Sequence, residues 1–139
     1  MKRNKGFTLI ELLIVMIILG LLAALVGPRM FGKVGTSKQK AARAQISMLE
    51  TALETYRLDV GAFPTEAQGL EALRRQPAGT ENWDGPYLPK EIPKDPWGHN
   101  YIYRYPSENS DFEIISYGAD GQPGGKEENA DIVNWKNPE

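Results

Sequence analysis

Residues 5–26 read KGFTLIELLIVMIILGLLAALV, and the rest of the chain is arranged around them. From Phe7 to Val26 there is a single charge, Glu11. At about 1.5 Å per residue, a helix of this length spans roughly 30 Å, the thickness of a bilayer's hydrocarbon core. Lys2, Arg3 and Lys5 precede the run. Basic flanks stay in the cytoplasm, which sends the C-terminal part across the membrane.

Glu11 sets the problem. An ionised carboxylate costs on the order of 2.5–3.5 kcal/mol at a bilayer centre, less near an interface, and marks a functional site by default. No Lys or Arg lies between it and Arg29. A secretory signal cut behind its apolar core needs small residues before the cut. Ala23 and Ala24 are present, but a cut after Gly27 leaves Leu25 three residues upstream. A plain uncleaved anchor fits the length and leaves Glu11 unexplained. A cut between Gly6 and Phe7 supplies a partner, because the new α-amino group has a reference pKa of about 7.7–8.0 and carries charge near neutrality. That amine can pair with Glu11 of its own helix or of a neighbouring subunit. The second arrangement works only at a fixed stagger and is a register device for a polymer.

Composition narrows the rest. The 139 residues hold 16 Lys+Arg, 18 Asp+Glu, one His, no Cys, 14 Gly and 10 Pro. That length allows one domain of modest core. Without Cys there is no disulfide framework, thiol nucleophile or thiolate metal site. One His argues against His-based zinc and Ser-His-Asp chemistry, and His99 has no evident partner in the sequence. A net charge of −2 without a basic block argues against nucleic acid. Loss of residues 1–6 removes three of the 16 positive charges and leaves 13 against 18, a net of −5.

Beyond the apolar run, Gly27-Pro28 removes a backbone hydrogen bond, and Gly32 and Gly35 weaken the next turns. The residues alone fit either the end of the membrane helix or a weak point within a longer one. From Thr36 onward Ala42, Ile46, Leu49, Leu53, Tyr56 and Val60 recur at spacings of 4, 3, 4, 3 and 4, a core-facing stripe that ends at Gly61. Thr65 with Gln68 predicts a capping box opening a short helix over 66–75. Residues 76–100 read as an irregular loop, functional or held down by its aromatics. Asp95-Pro96-Trp97-Gly98 has type I turn chemistry. Tyr101–Tyr105 and Phe112–Tyr117 predict an antiparallel hairpin. Its three-tyrosine stripe could offer a stacking platform for carbohydrate, and the expectation is that it covers the long helix instead.

Tyr117-Gly118-Ala119-Asp120-Gly121-Gln122-Pro123-Gly124-Gly125 opens a glycine-rich loop followed by Glu127, Glu128 and Asp131. Calcium takes six to eight oxygens at about 2.3–2.6 Å from carboxylates, carbonyls and water. Such a loop can supply them, though an ordinary solvated turn has the same composition. It lacks the alternating acids of an EF-hand.

Lys5-Gly6-Phe7-Thr8-Leu9-Ile10-Glu11 before an apolar helix resembles the class III signal of type IV pilins and type II secretion pseudopilins. Phe63-Pro64-Thr65, Gln68–Leu73, Asp95–Gly98, Tyr101–Tyr103, Gly118–Gly121 and Ala130–Ile132 extend the resemblance to the major pseudopilins over nearly the whole chain. The resemblance implies an α+β, type IV pilin-like fold. Its long N-terminal helix, half membrane-spanning and half amphipathic, would pack on a small antiparallel sheet with a C-terminal calcium loop. It divides the chain into a leader (1–6), a transmembrane and filament-core helix (7–35) and a periplasmic domain (36–139).

It further implies cleavage after Gly6 by a prepilin peptidase, N-methylation of Phe7, register through Glu11, and a helix that continues past a weak point at Gly27 and Pro28. For calcium it implies Asp120 with a later acid that by position is Glu127, Glu128 or Asp131. The expected set is Asp120 and Glu127, with Asp131 in or near the shell and backbone oxygens from Tyr117, Gln122 and Gly125. Expected partners are further copies in a helical filament, minor pseudopilins, an inner-membrane assembly platform with its ATPase, secreted proteins and membrane lipid, with no nucleic acid. The work would be mechanical, not enzymatic. It would begin in the bacterial inner membrane, with the N-terminus cytoplasmic, and end in a periplasmic pseudopilus. A type IV pilin is the nearest alternative, although the Cys pair common there is missing. A membrane-tethered periplasmic domain is the other, and it predicts an intact N-terminus and a monomer.

Overall fold

A computed structural model describes residues 5–136. Its packing divides the chain into two compact units, one through Gly35 and one from Thr36. One helix, α1 (Leu9–Val60), contributes its first part to the former and its second part to the latter.

In the first unit α1 passes through Pro28 without interruption. Every residue from Leu9 to Val34 except half-buried Gly27 is exposed, so the apolar side chains meet nothing within the unit. This stretch is long and apolar enough to cross a membrane.

The second unit is built on the expected stripe. Ala42, Ile46, Leu49, Leu53 and Tyr56 are buried, joined by Ala52, with Val60 packed at the edge. Facing them are Phe63, Leu70, Leu73, Leu88, Tyr101, Tyr103, Phe112, Ile114 and Ile132. α1 stops where Gly61 adopts φ +93° and its N–H donates to the Arg57 carbonyl at 2.8 Å, a left-handed cap that a residue with a Cβ resists.

The sheet has three strands in the order β1 (Ile102–Arg104), β2 (Glu113–Ser116) and β3 (Ile132–Val133), all antiparallel. The expected hairpin is β1–β2, shorter at its ends than the sequence runs indicated. In register, Tyr103 faces Ile114 and Arg104 faces Glu113. The third strand has only two residues, too short for alternation to reveal. Asn134 lengthens this edge: its side-chain amide accepts from Ile114 N–H at 2.9 Å and donates to the Phe112 carbonyl at 3.1 Å.

Three local expectations meet the structure differently. The Thr65–Gln68 capping box forms, with Thr65 N–H donating to Gln68 Oε1 (2.9 Å) and Gln68 N–H to Thr65 Oγ1 (3.2 Å). The helix expected over 66–75 does not follow it. Gly69 takes φ +62° and ψ −166°, which breaks helical continuity and leaves a 3-10 turn over Leu70–Leu73. Residues 76–100 are irregular and pinned by their aromatics: Trp83 Nε1 donates to the Ala72 carbonyl (2.8 Å) and Tyr87 Oη to Asp59 Oδ2 (2.9 Å). Tyr101 and Tyr103 are buried in the core with Tyr105 at its rim, so the stripe packs and does not form an open platform.

Candidate functional site

At the N-terminal end, Lys5, Gly6, Phe7 and Thr8 are exposed and lie ahead of the helix, the form in which a peptide bond is open to a protease. Lys2 and Arg3 fall outside the described residues. Thr8 and Glu11 form a second capping box. Glu11 Oε2 accepts from Thr8 N–H (2.9 Å) and Thr8 Oγ1 (3.1 Å), while Glu11 N–H donates back to Thr8 Oγ1 (3.3 Å). Sequence reasoning treated Glu11 only as a carboxylate in need of a cation. The Thr-x-x-Glu spacing ahead of an apolar run was the signal for the cap.

At the other end, residues 117–131 double back on themselves. Ala119 N–H donates to the Glu128 carbonyl at 2.8 Å. Gly118, at φ +71°, packs so closely that a Cβ would lie 2.7 Å from Glu128 O. Asp120 Oδ1 accepts from Gln122 N–H (3.1 Å) and Asp131 Oδ2 from Gly124 N–H (3.0 Å), so both carboxylates are drawn onto one short stretch of backbone. Glu127 opens a 3-10 turn at φ +53° with its side chain exposed. Its carbonyl accepts from Gln39 Nε2 of α1 at 2.5 Å and from Ala130 N–H at 3.2 Å.

Among the described residues, no group of three acidic or histidine side chains is gathered for a metal. The donor chemistry instead fits a hard cation held by two carboxylates and backbone oxygens. Asp120 and Asp131 each keep one oxygen without a hydrogen bond, and the Gln122 and Gly125 carbonyls accept no backbone hydrogen bond among the described residues. The Tyr117 hydroxyl accepts from Arg104 Nη2 at 3.2 Å.

His99 does have partners. Its Nδ1 lies 3.2 Å from the Gly118 carbonyl and 3.9 Å from Asp95 Oδ2. Asp95 is buried, and it accepts from Ser116 Oγ (2.7 Å), Trp97 N–H (3.1 Å) and His99 N–H (2.9 Å). Ser, Asp and His thus meet in the wrong order for nucleophilic catalysis: the Ser116 hydroxyl is spent on the aspartate and is fully buried. On β2, Glu113 is a second buried carboxylate. The Ser107 hydroxyl (2.6 Å) and the Asn109 amide hold its carboxyl below the usual range, with Arg104 nearby and burial opposing them.

The comparisons with known proteins agree with this anatomy. The family described as "Type II secretion system (T2SS), protein G" matches residues 29–135, and the "Prokaryotic N-terminal methylation motif" matches residues 1–27. A type II secretion system core protein G of Pseudomonas aeruginosa is 42% identical over 139 residues, covering 98% of each chain. That of Vibrio cholerae is 44% identical over 138 residues, covering 97% of this chain and 94% of its own.

This chain belongs to the type II secretion system protein G family.

The fold agrees as well. The major pseudopilin of enterohaemorrhagic Escherichia coli superposes with a TM-score of 0.66 at 35% identity, over 78% of this chain and 95% of that one. The pilin-like α+β fold expected from the sequence is therefore the fold observed, and the pseudopilin reading prevails over the type IV pilin alternative. The family is one of structural subunits, which accords with a Ser-Asp-His set, its Ser116 and Asp95 buried, that holds backbone in place.

Proposed function

We propose that this chain is the repeating structural subunit of a type II secretion pseudopilus, the periplasmic filament that moves folded proteins through an outer-membrane channel. The observation that carries this is the end-to-end similarity to core protein G relatives, from the methylation motif to Trp135. In this reading the precursor sits in the inner membrane with its N-terminus cytoplasmic. A prepilin peptidase cuts after Gly6 and methylates the Phe7 amine. The exposed apolar helix through Gly35 becomes filament core, with Glu11 meeting the Phe7 amine of a neighbouring copy, and Gly27-Pro28 gives it a place to yield. Residues 36–139 form the outer surface. Minor pseudopilins, an assembly platform with its ATPase, and the secreted proteins are its partners.

Calcium belongs to the same proposal. Asp120 and Asp131 would hold the ion with backbone oxygens of Tyr117, Gln122 and Gly125, and the exposed Glu127 would be a further carboxylate for it. The ion would supply cross-linking, not catalysis, by neutralising the acids of a loop that has little apolar surface of its own.

Expression in a secretion-competent host lacking its own core protein G tests the proposal. The expected outcome is restored release of a folded substrate, with an intact mass that begins at Phe7 and carries one added methyl group. A chain still beginning at Met1, with secretion unrestored, refutes it.

A further inference from the structure

The turn Asp95–Gly98 and the loop 117–131 are far apart in sequence, yet one residue is bound by both. Gly118 donates its N–H to Ser116 Oγ (3.3 Å) and accepts from His99 Nδ1 at its carbonyl (3.2 Å). Ser116 Oγ in turn donates to Asp95 Oδ2 (2.7 Å), and the backbone of His99 is fixed by Asp95 Oδ1 (2.9 Å). Both polar groups of Gly118 are thus referred to a single buried carboxylate. A carbonyl can only accept, so His99 carries its proton on Nδ1. The imidazole also lies against the next corner: a Cβ on Gly121, at φ +66°, would come within 3.1 Å of His99 Cε1 and Nε2. The two glycines that bracket Asp120 are therefore both seated on His99.

We infer that His99 is a positioning residue for the cation loop, transmitting the rigidity of buried Asp95 to the Gly118–Gly121 corner that aims Asp120. This rests on the calcium reading for its purpose and on the geometry above for its existence. The side chain of His99 is 42% exposed, so its contribution is to loop order and not to the core. A corner fixed in advance lowers the ordering cost of ion capture, and groups that orient ligands in this way contribute about 10–100-fold to metal affinity.

Three substitutions in the full-length chain in detergent separate the contacts. His99→Phe keeps a ring on Gly121 and removes the donor, His99→Asn keeps a donor near Nδ1 and removes the ring, and His99→Ala removes both. None disturbs the backbone N–H that Asp95 holds. Amide exchange of Ala119, Asp120 and Gly121 is read without calcium, and calcium chloride is then titrated by calorimetry.

The expected result is exchange about fivefold faster in the Phe and Ala variants, the effect of one ordinary hydrogen bond. Calcium affinity should fall about tenfold in both, with Asn close to wild type. Unchanged exchange in the Ala variant overturns the inference even if calcium binds. Faster exchange with no calcium heat in the wild type upholds the clamp and overturns the cation reading instead.

Discussion

Glu11 and Thr8 hold each other across the first turn of α1, with the carboxylate on the Thr8 N–H at 2.9 Å and the Thr8 hydroxyl on the Glu11 N–H at 3.3 Å. In the isolated chain the acid is already employed as a cap. A neighbouring amine would have to share or displace that bond, so the observed cap and the proposed register would be two uses of one side chain.

Substitution tells them apart. Glutamine preserves a capping box and abolishes charge. Glu11→Gln should leave the far-ultraviolet helix signal unchanged while reducing assembled filament at least about tenfold, the scale of one strong charge-assisted contact. Thr8→Val should do the reverse, weakening the first turn by about 1 kcal/mol with filaments still formed. Filaments of normal yield from the Gln variant would show that charge at this position does not set register.

The stripe on the second half of α1 gives a sharper contrast in stability. Leu49 and Leu53 are fully buried, whereas Leu58 on the same helix is 84% exposed. Leu53→Ala should cost about 2–5 kcal/mol in denaturant unfolding. Leu58→Ala should stay within about 0.5 kcal/mol.

Glu113 predicts an acid limb. Its folded-state pKa lies below the ordinary value because Ser107 and Asn109 donate to the carboxylate. The native state therefore releases this proton more readily than the unfolded chain. The stabilisation is complete above the unfolded pKa of about 4.3 and is lost as pH falls through the lowered folded value. Melting temperature followed from about pH 7 to pH 3 should decline less steeply in Glu113→Gln than in wild type.

Calcium removal is the fourth test. A chelator should lower the melting temperature of the wild-type chain, and Asp120→Ala should abolish that shift while lowering stability in calcium. Binding to the folded state alone adds about 2.7 kcal/mol at a hundredfold excess over Kd. Identical wild-type melting with and without the ion would remove the site.

Repeating patterns were the most legible part of the sequence. The apolar run and the 4-3 spacing from Ala42 to Val60 are repeated signals, and α1 obeys both from Leu9 to its glycine stop. The tyrosine alternation across Tyr101–Tyr105, around β1, and the aromatic anchoring of the long loop were equally readable. What escaped depended on single residues or on contacts distant in sequence. β3 is two residues long, and the helix expected after Thr65 is cut short by one glycine conformation. Asp95, His99, Ser116 and Gly118 are brought together only by the folded sheet and its loops, so the spacing of His99 along the chain carried no hint of its partners. The acids Asp120 and Asp131 were legible as candidates by composition, while their convergence on Gln122 and Gly124 was not.

The exposed apolar flank of α1 between Leu9 and Val34 has a thermodynamic consequence. Lipid tails are as oily as leucine, so an apolar helix that leaves a bilayer to lie among identical helices gains almost nothing from escaping water. In the proposed filament, elongation along that route would be nearly isoenergetic over this apolar surface. Its direction would then be decided by small differences in packing and charge and by work done from outside. Such a fibre would resemble a piston more than a crystal, driven out and allowed to sink back with the same subunits.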